Sequence, residues 1–465
     1  MAARLTAVLV AAIVGVTLVA GLIVGAQRED DSGPIDLLIY NGRVFTGDVA
    51  TPFAEAIAVR GNRIYRVGSN RDIKRLRRRA TTVVDAHGGS VLPAFSDAQT
   101  TLPAFASEPP APAPPDEGTP AAAREGESDA AIREAVAGVH RLGMTTIGVT
   151  LEGPGALEEF ERLRQRHDGI DLRIVATIQV AAPLDEAFFS RLETLRLAPD
   201  ADPMVRVDGV AIDVMLPADA QAKKAAAHQR TRTAANAVVR PALSNDDQRL
   251  VLALDRRGLP LVLRVDDERE LAAALDALER AAADNPAPAS GRRHRLALAH
   301  PMAFDVDRVK ALGATVSLPL PSEPAERADA SPDAPAAELA AWSPGLREGI
   351  RVVMVSEALA DPRLGLQALV GAQSADREPA SEAAVDASVL SAALRTLTAD
   401  AAAAQGDERT RGTIARDKVA DLIVLSADLF SLPPDKLLDA VVMLTILDGK
   451  IVFDREAETP AATEP

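Results

Sequence analysis

Residues 84–102 read VDAHGGSVLPAFSDAQTTL. The apolar run Ser90-Val91-Leu92 meets Pro93, Ala94-Phe95-Ser96-Asp97-Ala98 follows, and the stretch ends on the polar Gln99-Thr100-Thr101. An apolar segment of this length bounded by glycine and polar residues reads as strand. The sequence on either side decides which fold it belongs to. Upstream, Ile35 to Tyr40 leads through Asn41-Gly42, a hairpin signal, to Arg43-Val44-Phe45-Thr46, and Ala56–Arg60 and Arg63–Gly68 flank a second turn at Gly61-Asn62. Short strands with regular turns predict a β-meander. A basic helix over Asp72 to Arg79 follows it, and its charge run reads as a solvated face.

Downstream the period changes. A helix from Ala130 to Leu142 stops at Gly143, and strands are expected at 143–149, 172–180 and 207–214. Past a polar, alanine-rich excursion at 217–246, a helix at 249–257 is capped by Gly258 and leads to a strand at 260–264. A long helix over 268–282 carries Leu271, Leu275 and Leu278 on one face. Further strands are expected at 294–300, 314–318 and 351–357, with helices over 306–312 and 388–404. Strands alternating with helices predict a parallel α/β architecture, and eight of them a (β/α)8 TIM-like barrel. Residues 103–127 lack periodicity and read as a flexible loop, as do the Pro/Ala/Asp-rich segments 283–292, 320–340 and 372–385.

The 465 residues are ample for a large core, and their composition is that of a folded chain. A net charge of −16 argues against nucleic acid and anionic membrane surfaces as main partners. Absence of cysteine excludes thiolate chemistry, disulfides and cysteine-ligated zinc. No GxSxG, P-loop or GxGxxG element is present. Residues 5–26, LTAVLVAAIVGVTLVAGLIVGA, carry no charge, follow Arg4 and precede Gln27-Arg28-Glu29-Asp30-Asp31. About 20 apolar residues suffice to cross a bilayer core. Residues 1–30 therefore read as a membrane anchor with the body extracytoplasmic, or as a signal segment cleaved near Val24-Gly25-Ala26, leaving the body secreted.

The diagnostic stretch resembles the first barrel strand of the amidohydrolase superfamily, whose usual wording is LPGFIDAHxH. Gly143–Val149 resembles its GITTVxD second strand, Gly412–Leu425 its GsLxxGKxADLvvL segment, and Val441–Phe453 its closing hairpin. The amidohydrolase-3, or exoenzyme-like, branch is the most similar. The resemblance implies a composite β-sandwich from residues 35–88 and 405–455, a barrel over 89–404, and a disordered tail at 456–465. It also implies hydrolysis of C–N bonds in amides or related compounds with zinc or another divalent metal.

The family's metal ligands sit at strand ends, and the frame around each is legible here. Gln99 and Thr101 stand where two histidines belong, Ala211 where a lysine does, Arg264 and Leu298 where two further histidines do. Glu357 stands at the aspartate that is both ligand and general base, so one position of six keeps ligand chemistry. The resemblance thus implies a barrel whose metal site has been overwritten and no cofactor of its own. The expectation is a non-catalytic binding or scaffold module, with a small anionic molecule held at Arg264. Arg264 and Glu357 are expected to face each other as an ion pair. The alternative is a hydrolase with an atypical site in which His300, Asp213 and Glu357 hold the metal, Asp97 serving as a structural hydrogen-bond acceptor or a ligand.

Overall fold

A computed structural model describes residues 33–100, 121–166, 170–197, 204–214, 216, 243–286, 292–319, 348–356, 359–374 and 384–458; for 121–129 only the backbone is described. The apolar segment 5–26 lies outside them, and among the described residues no helix is long and apolar enough to cross a membrane.

Strands β1 (Leu37–Tyr40) and β2 (Arg43–Phe45) flank Asn41-Gly42 as expected, yet they do not form a hairpin. β1 pairs antiparallel with β4 (Ala56–Arg60), while β2 pairs with β3 (Phe53–Ala54) and with β7 (Ser90–Pro93) in a different sheet. Asn41-Gly42 is a corner between sheets. Asn41 takes a left-handed φ of 56° and donates its side-chain amide to Asp85 at 2.9 Å. Val91 packs so tightly on Gly42 that a side chain there would collide with it. The second turn does behave as a hairpin, joining β4 to β5 (Arg63–Gly68) across Gly61. Helix α1 (Asn70–Lys74) is shorter than the basic run suggests. Ser69 caps its start, but beyond Lys74 the arginines have no acidic partner one turn on.

β6 (Thr82–Asp85) completes one sheet in the order β5-β4-β1-β6. The diagnostic stretch then passes from one unit into another: β7 belongs to the second sandwich sheet, and β8 (Phe95–Thr100) opens the barrel. Around the barrel follow β9 (Met144–Leu151), β10 (Arg173–Gln179), β11 (Val205–Asp213), β12 (Leu261–Val265), β13 (Arg295–Leu298), β14 (Thr315–Pro319) and β15 (Arg351–Val355). Each pairs parallel with the next, and the Ser356 N–H donates to the Gln99 carbonyl at 3.1 Å across the nearly closed seam. This is the expected eight-stranded TIM-like architecture.

Helices cover the outside: α2 (Ala121–Arg141), α3 (Ala156–Arg166), α4 (Glu186–Leu197), α5 (Asn245–Arg256), α6 (Glu268–Asp284), α7 (Val306–Leu312), α8 (Pro362–Ser374), α9 (Ala387–Leu397) and α10 (Ala399–Ala404). Three were not expected: α3, α4 and α8, the last of which runs into the segment read as loop from 372. The helix expected over 388–404 is two, broken at Thr398, whose buried hydroxyl donates to the Leu394 carbonyl at 2.8 Å. That back-bond competes with the helical ladder.

The chain closes with β16 (Leu422–Leu425), β17 (Val442–Leu447) and β18 (Lys450–Asp454), giving a second sheet in the order β18-β17-β16-β7-β2-β3. The helical turn α11 (Arg455–Glu458) follows where the tail was expected. Leu37, Ile39, Val59, Val91, Leu422 and Ile446 form the core between the two sandwich sheets. On the other face of the second sheet, Leu92, Ile423 and Val442 join the barrel core. Ile73 of α1 packs with Ile35 and Leu38 outside the first sheet. The layers therefore run α1, first sheet, second sheet, barrel.

Candidate functional site in the barrel mouth

In parallel barrels the loops after the strands converge on one face, so chemistry is sought at the strands' C-terminal ends. There β12 presents Arg264 and β11 presents Asp213. The Arg264 Nε donates to Asp213 at 2.5 Å and its Nη1 to Glu152, just past β9, at 2.8 Å. Gln179, the last residue of β10, donates its amide to the other Asp213 oxygen at 2.5 Å. The hydrogen bond to Asp213, then that to Glu152, raises the pKa of Arg264 against partial burial. Glu357 lies outside the described residues, as does Thr101; among the described residues the carboxylate partners of Arg264 are Asp213 and Glu152. Glu152 and Gln179 went unnoticed in the sequence, although each closes or follows an expected strand.

Asp97 is buried within β8 and is held across the barrel seam. One carboxylate oxygen accepts from the Gln99 N–H at 2.9 Å, and the other from the Ser356 hydroxyl in a short hydrogen bond. Burial pushes this carboxyl up to about 7, against the pull of those donors and of Arg295. Asp97 thus ties β8 to the end of β15. Gln99 is half-buried, and its side-chain carbonyl has no hydrogen-bond partner among the described residues. His300 is exposed and its Nδ1 contacts its neighbour's carbonyl, Pro301 O, at 3.2 Å, with no hydrogen bond to Asp213.

The described donor set does not fit a divalent metal. Catalytic sites of this kind need about three protein ligands converging on an open position. Among the described residues no three histidine or carboxylate side chains converge in that way. Ala211 packs in an apolar plug with Val262 and Ala297, and Leu298 is in the core. Asp213 has a guanidinium for its neighbour. Below the mouth, a cavity among Ala98, Thr177, Asp208, Arg293, Arg295 and Gln405 has about 20 Å³ of room, enough for roughly one water.

The opposite end of the barrel is also rich in charge, and its central pair is buried. Arg173 at the start of β10 grips the buried Asp421 at 3.1 and 3.2 Å and the half-buried Asp448 at 2.6 Å. Arg293 holds Asp208 with two bonds of 2.7 and 2.9 Å, and Arg206 reaches Asp407 at 2.5 Å. Arg295 is buried and, among the described residues, gives one hydrogen bond, to the Ala98 carbonyl at 2.7 Å; burial pushes its pKa down to about 10. Conserving geometry at this end is a matter of stability in barrels of this type.

A profile described as the amidohydrolase family matches residues 127–453. Among solved structures, the fold is similar to that of an adenosine deaminase from Xanthomonas campestris with bound zinc: TM-score 0.59, 18% identity, 90% of this chain and 93% of that one. It is likewise similar to molinate hydrolase, with TM-score 0.55, 16% identity and coverage of 90% and 95%. The guanine deaminase of E. coli gives TM-score 0.53, 14% identity and coverage of 90% and 99%. A curated relative, Protein LONG AFTER FAR-RED 3 of Arabidopsis thaliana, is 39% identical over 67 residues, which span 14% of this chain and 12% of that protein.

Proposed function

The chain belongs to the amidohydrolase family, and from that premise we propose that it is a member without metal-dependent hydrolysis, acting as a binding or scaffold module tethered to a membrane through residues 5–26, with its body outside the cytoplasm. One observation carries the reading. Arg264 projects from the end of the fifth barrel strand, the place of an expected histidine ligand, and two carboxylates engage it. A fixed cation there opposes a second one by Coulomb repulsion and occupies the carboxylates that would attract it. The deaminase and hydrolase activities of the similar structures concern those proteins; shared fold alone does not transfer them.

The ligand class follows from the charge of the mouth. Arg264 with Asp213 and Glu152 leaves one net negative charge among these described residues. A small neutral polar molecule suits this cluster of mutually paired charges better than a cation or an anion, and we propose it in place of the anion expected at Arg264. The test is metal content by plasma mass spectrometry on the folded body after exposure to zinc or manganese and desalting. Far less than one metal per chain is expected. Stoichiometric metal would overturn the reading in favour of an atypical hydrolase. Carbonate extraction of membranes from expressing cells tests the tether separately: a full chain that washes off refutes it.

A further inference from the structure

The whole chain is acidic, yet six cationic side chains and one carboxylate stand between Arg71 and Arg79. All six are exposed. The acidic groups nearby are engaged elsewhere. Asp72 accepts from the Ser69 hydroxyl at 2.8 Å, Glu55 from the Asn70 N–H at 2.9 Å, and Asp85 from Asn41 and the His87 N–H. Asp72 also stands 3.8 Å from Arg75. Arg71, Arg77 and Arg79 form no ion pair among the described residues, so the patch presents positive charge to solvent.

Its position in the fold says what it meets. The Thr81 hydroxyl donates to the Ile35 carbonyl at 2.8 Å, and the Thr82 N–H donates to the Asp36 carbonyl at 2.8 Å. The arginine run thus ends beside the point where the chain enters the fold from its N-terminal segment. Only residues 27–34 separate the apolar stretch from that point. Fully extended, so short a linker spans at most roughly 29 Å. The layer order adds a direction, since α1 lies outside the sandwich and the barrel lies on the sandwich's other side.

We propose that the surface from Arg71 to Arg79 docks on anionic phospholipid headgroups next to the tether, giving the body a second point of attachment and an orientation. The geometry rests on the tether reading of residues 5–26. Net negative charge elsewhere on the chain does not oppose this docking. Fields from exposed charges decay within a Debye length of about 8 Å at physiological salt, so the patch feels the lipid while the acidic remainder is held off. Attraction and repulsion together set one face toward the membrane.

The experiment is cosedimentation of residues 33–465, which contain every described strand and helix, with vesicles of phosphatidylcholine alone or with one quarter phosphatidylglycerol. Binding is expected only with phosphatidylglycerol and should fade with added salt. The triple variant R71S/R77S/R79S should bind about a hundredfold more weakly, because each basic residue near such a surface contributes roughly a fivefold gain. R249S, a surface change on α5, should bind as the parent does. Equal binding to both vesicles, or an unaffected triple variant, would overturn the proposal. Retention on heparin without vesicle binding would overturn it too, pointing to a soluble polyanion. Failure here with carbonate-resistant full chain would leave the tether standing, and success with a chain that washes off would leave the patch standing.

Discussion

At the mouth of the barrel Arg264 lies between Asp213 and Glu152, and at the base Arg173 lies between Asp421 and Asp448. The side chains at the mouth are 27%, 44% and 58% exposed, whereas Arg173 and Asp421 are 5% and 6% exposed and only Asp448, at 31%, reaches solvent. Similar chemistry therefore has different consequences. Exposed pairs gain little, because water and salt screen them and long side chains lose freedom in forming them. A buried pair contributes little net stability by existing, but losing one partner strands a charge in a dry place. The mouth is free to change its residues; the base is not. That asymmetry is how a scaffold can exchange a set of ligands for other side chains and keep its fold.

The comparison breaks first at Asp421. D421A should cost about 3–5 kcal/mol, since Arg173 and Arg411 both lose a buried counter-charge. Urea denaturation of the soluble body gives that number, and a loss below about 1 kcal/mol would mean that the base tolerates substitution as the mouth does.

Asp97 separates burial from position along the barrel axis, because it is buried although it lies on the strand that leads to the mouth. Its unfolded pKa is near 3.8 and its folded one about 7. Between those values the native state holds a proton that the unfolded chain has released. Stability must therefore fall as pH rises from about 4 to 7, by a total of up to about 4 kcal/mol, and level off on either side. The parent minus D97N difference in denaturant midpoints across that range isolates the effect. A flat difference would show that the carboxyl ionises without penalty.

The smallest change is expected at the mouth itself. R264M should alter stability by no more than about 1 kcal/mol in the same assay. A loss as large as that of D421A would mean that the mouth cluster is a structural element rather than a replaceable surface.

The fold was largely readable because its signals are local. The spacing of Leu271, Leu275 and Leu278 announces α6, and Gly258 and Gly313 mark helix ends. Asn41-Gly42 misled because a turn signal reports backbone conformation and not which strands pair. Close packing of Val91 on Gly42 made it a corner. In the mouth, the sequence could name Arg264 and Asp213 but not their contact. Glu152 and Gln179 come from other strands, and only the barrel's curvature places four strand ends side by side. The arginines of the base were invisible as a group for the same reason: Arg173 and Asp421 are 248 residues apart.

The interleaved sandwich sheet also fixes an order of events during synthesis. β7 pairs on one side with β2 and on the other with β16, about 330 residues later in the chain. Until the last segment leaves the ribosome, that edge of β7 is open and apolar, a surface on which other chains can pair. A nascent chain of this design depends on a holding chaperone or on rapid completion. A stop codon anywhere before Leu422 would leave not a shortened protein but one with an unpaired strand at its centre.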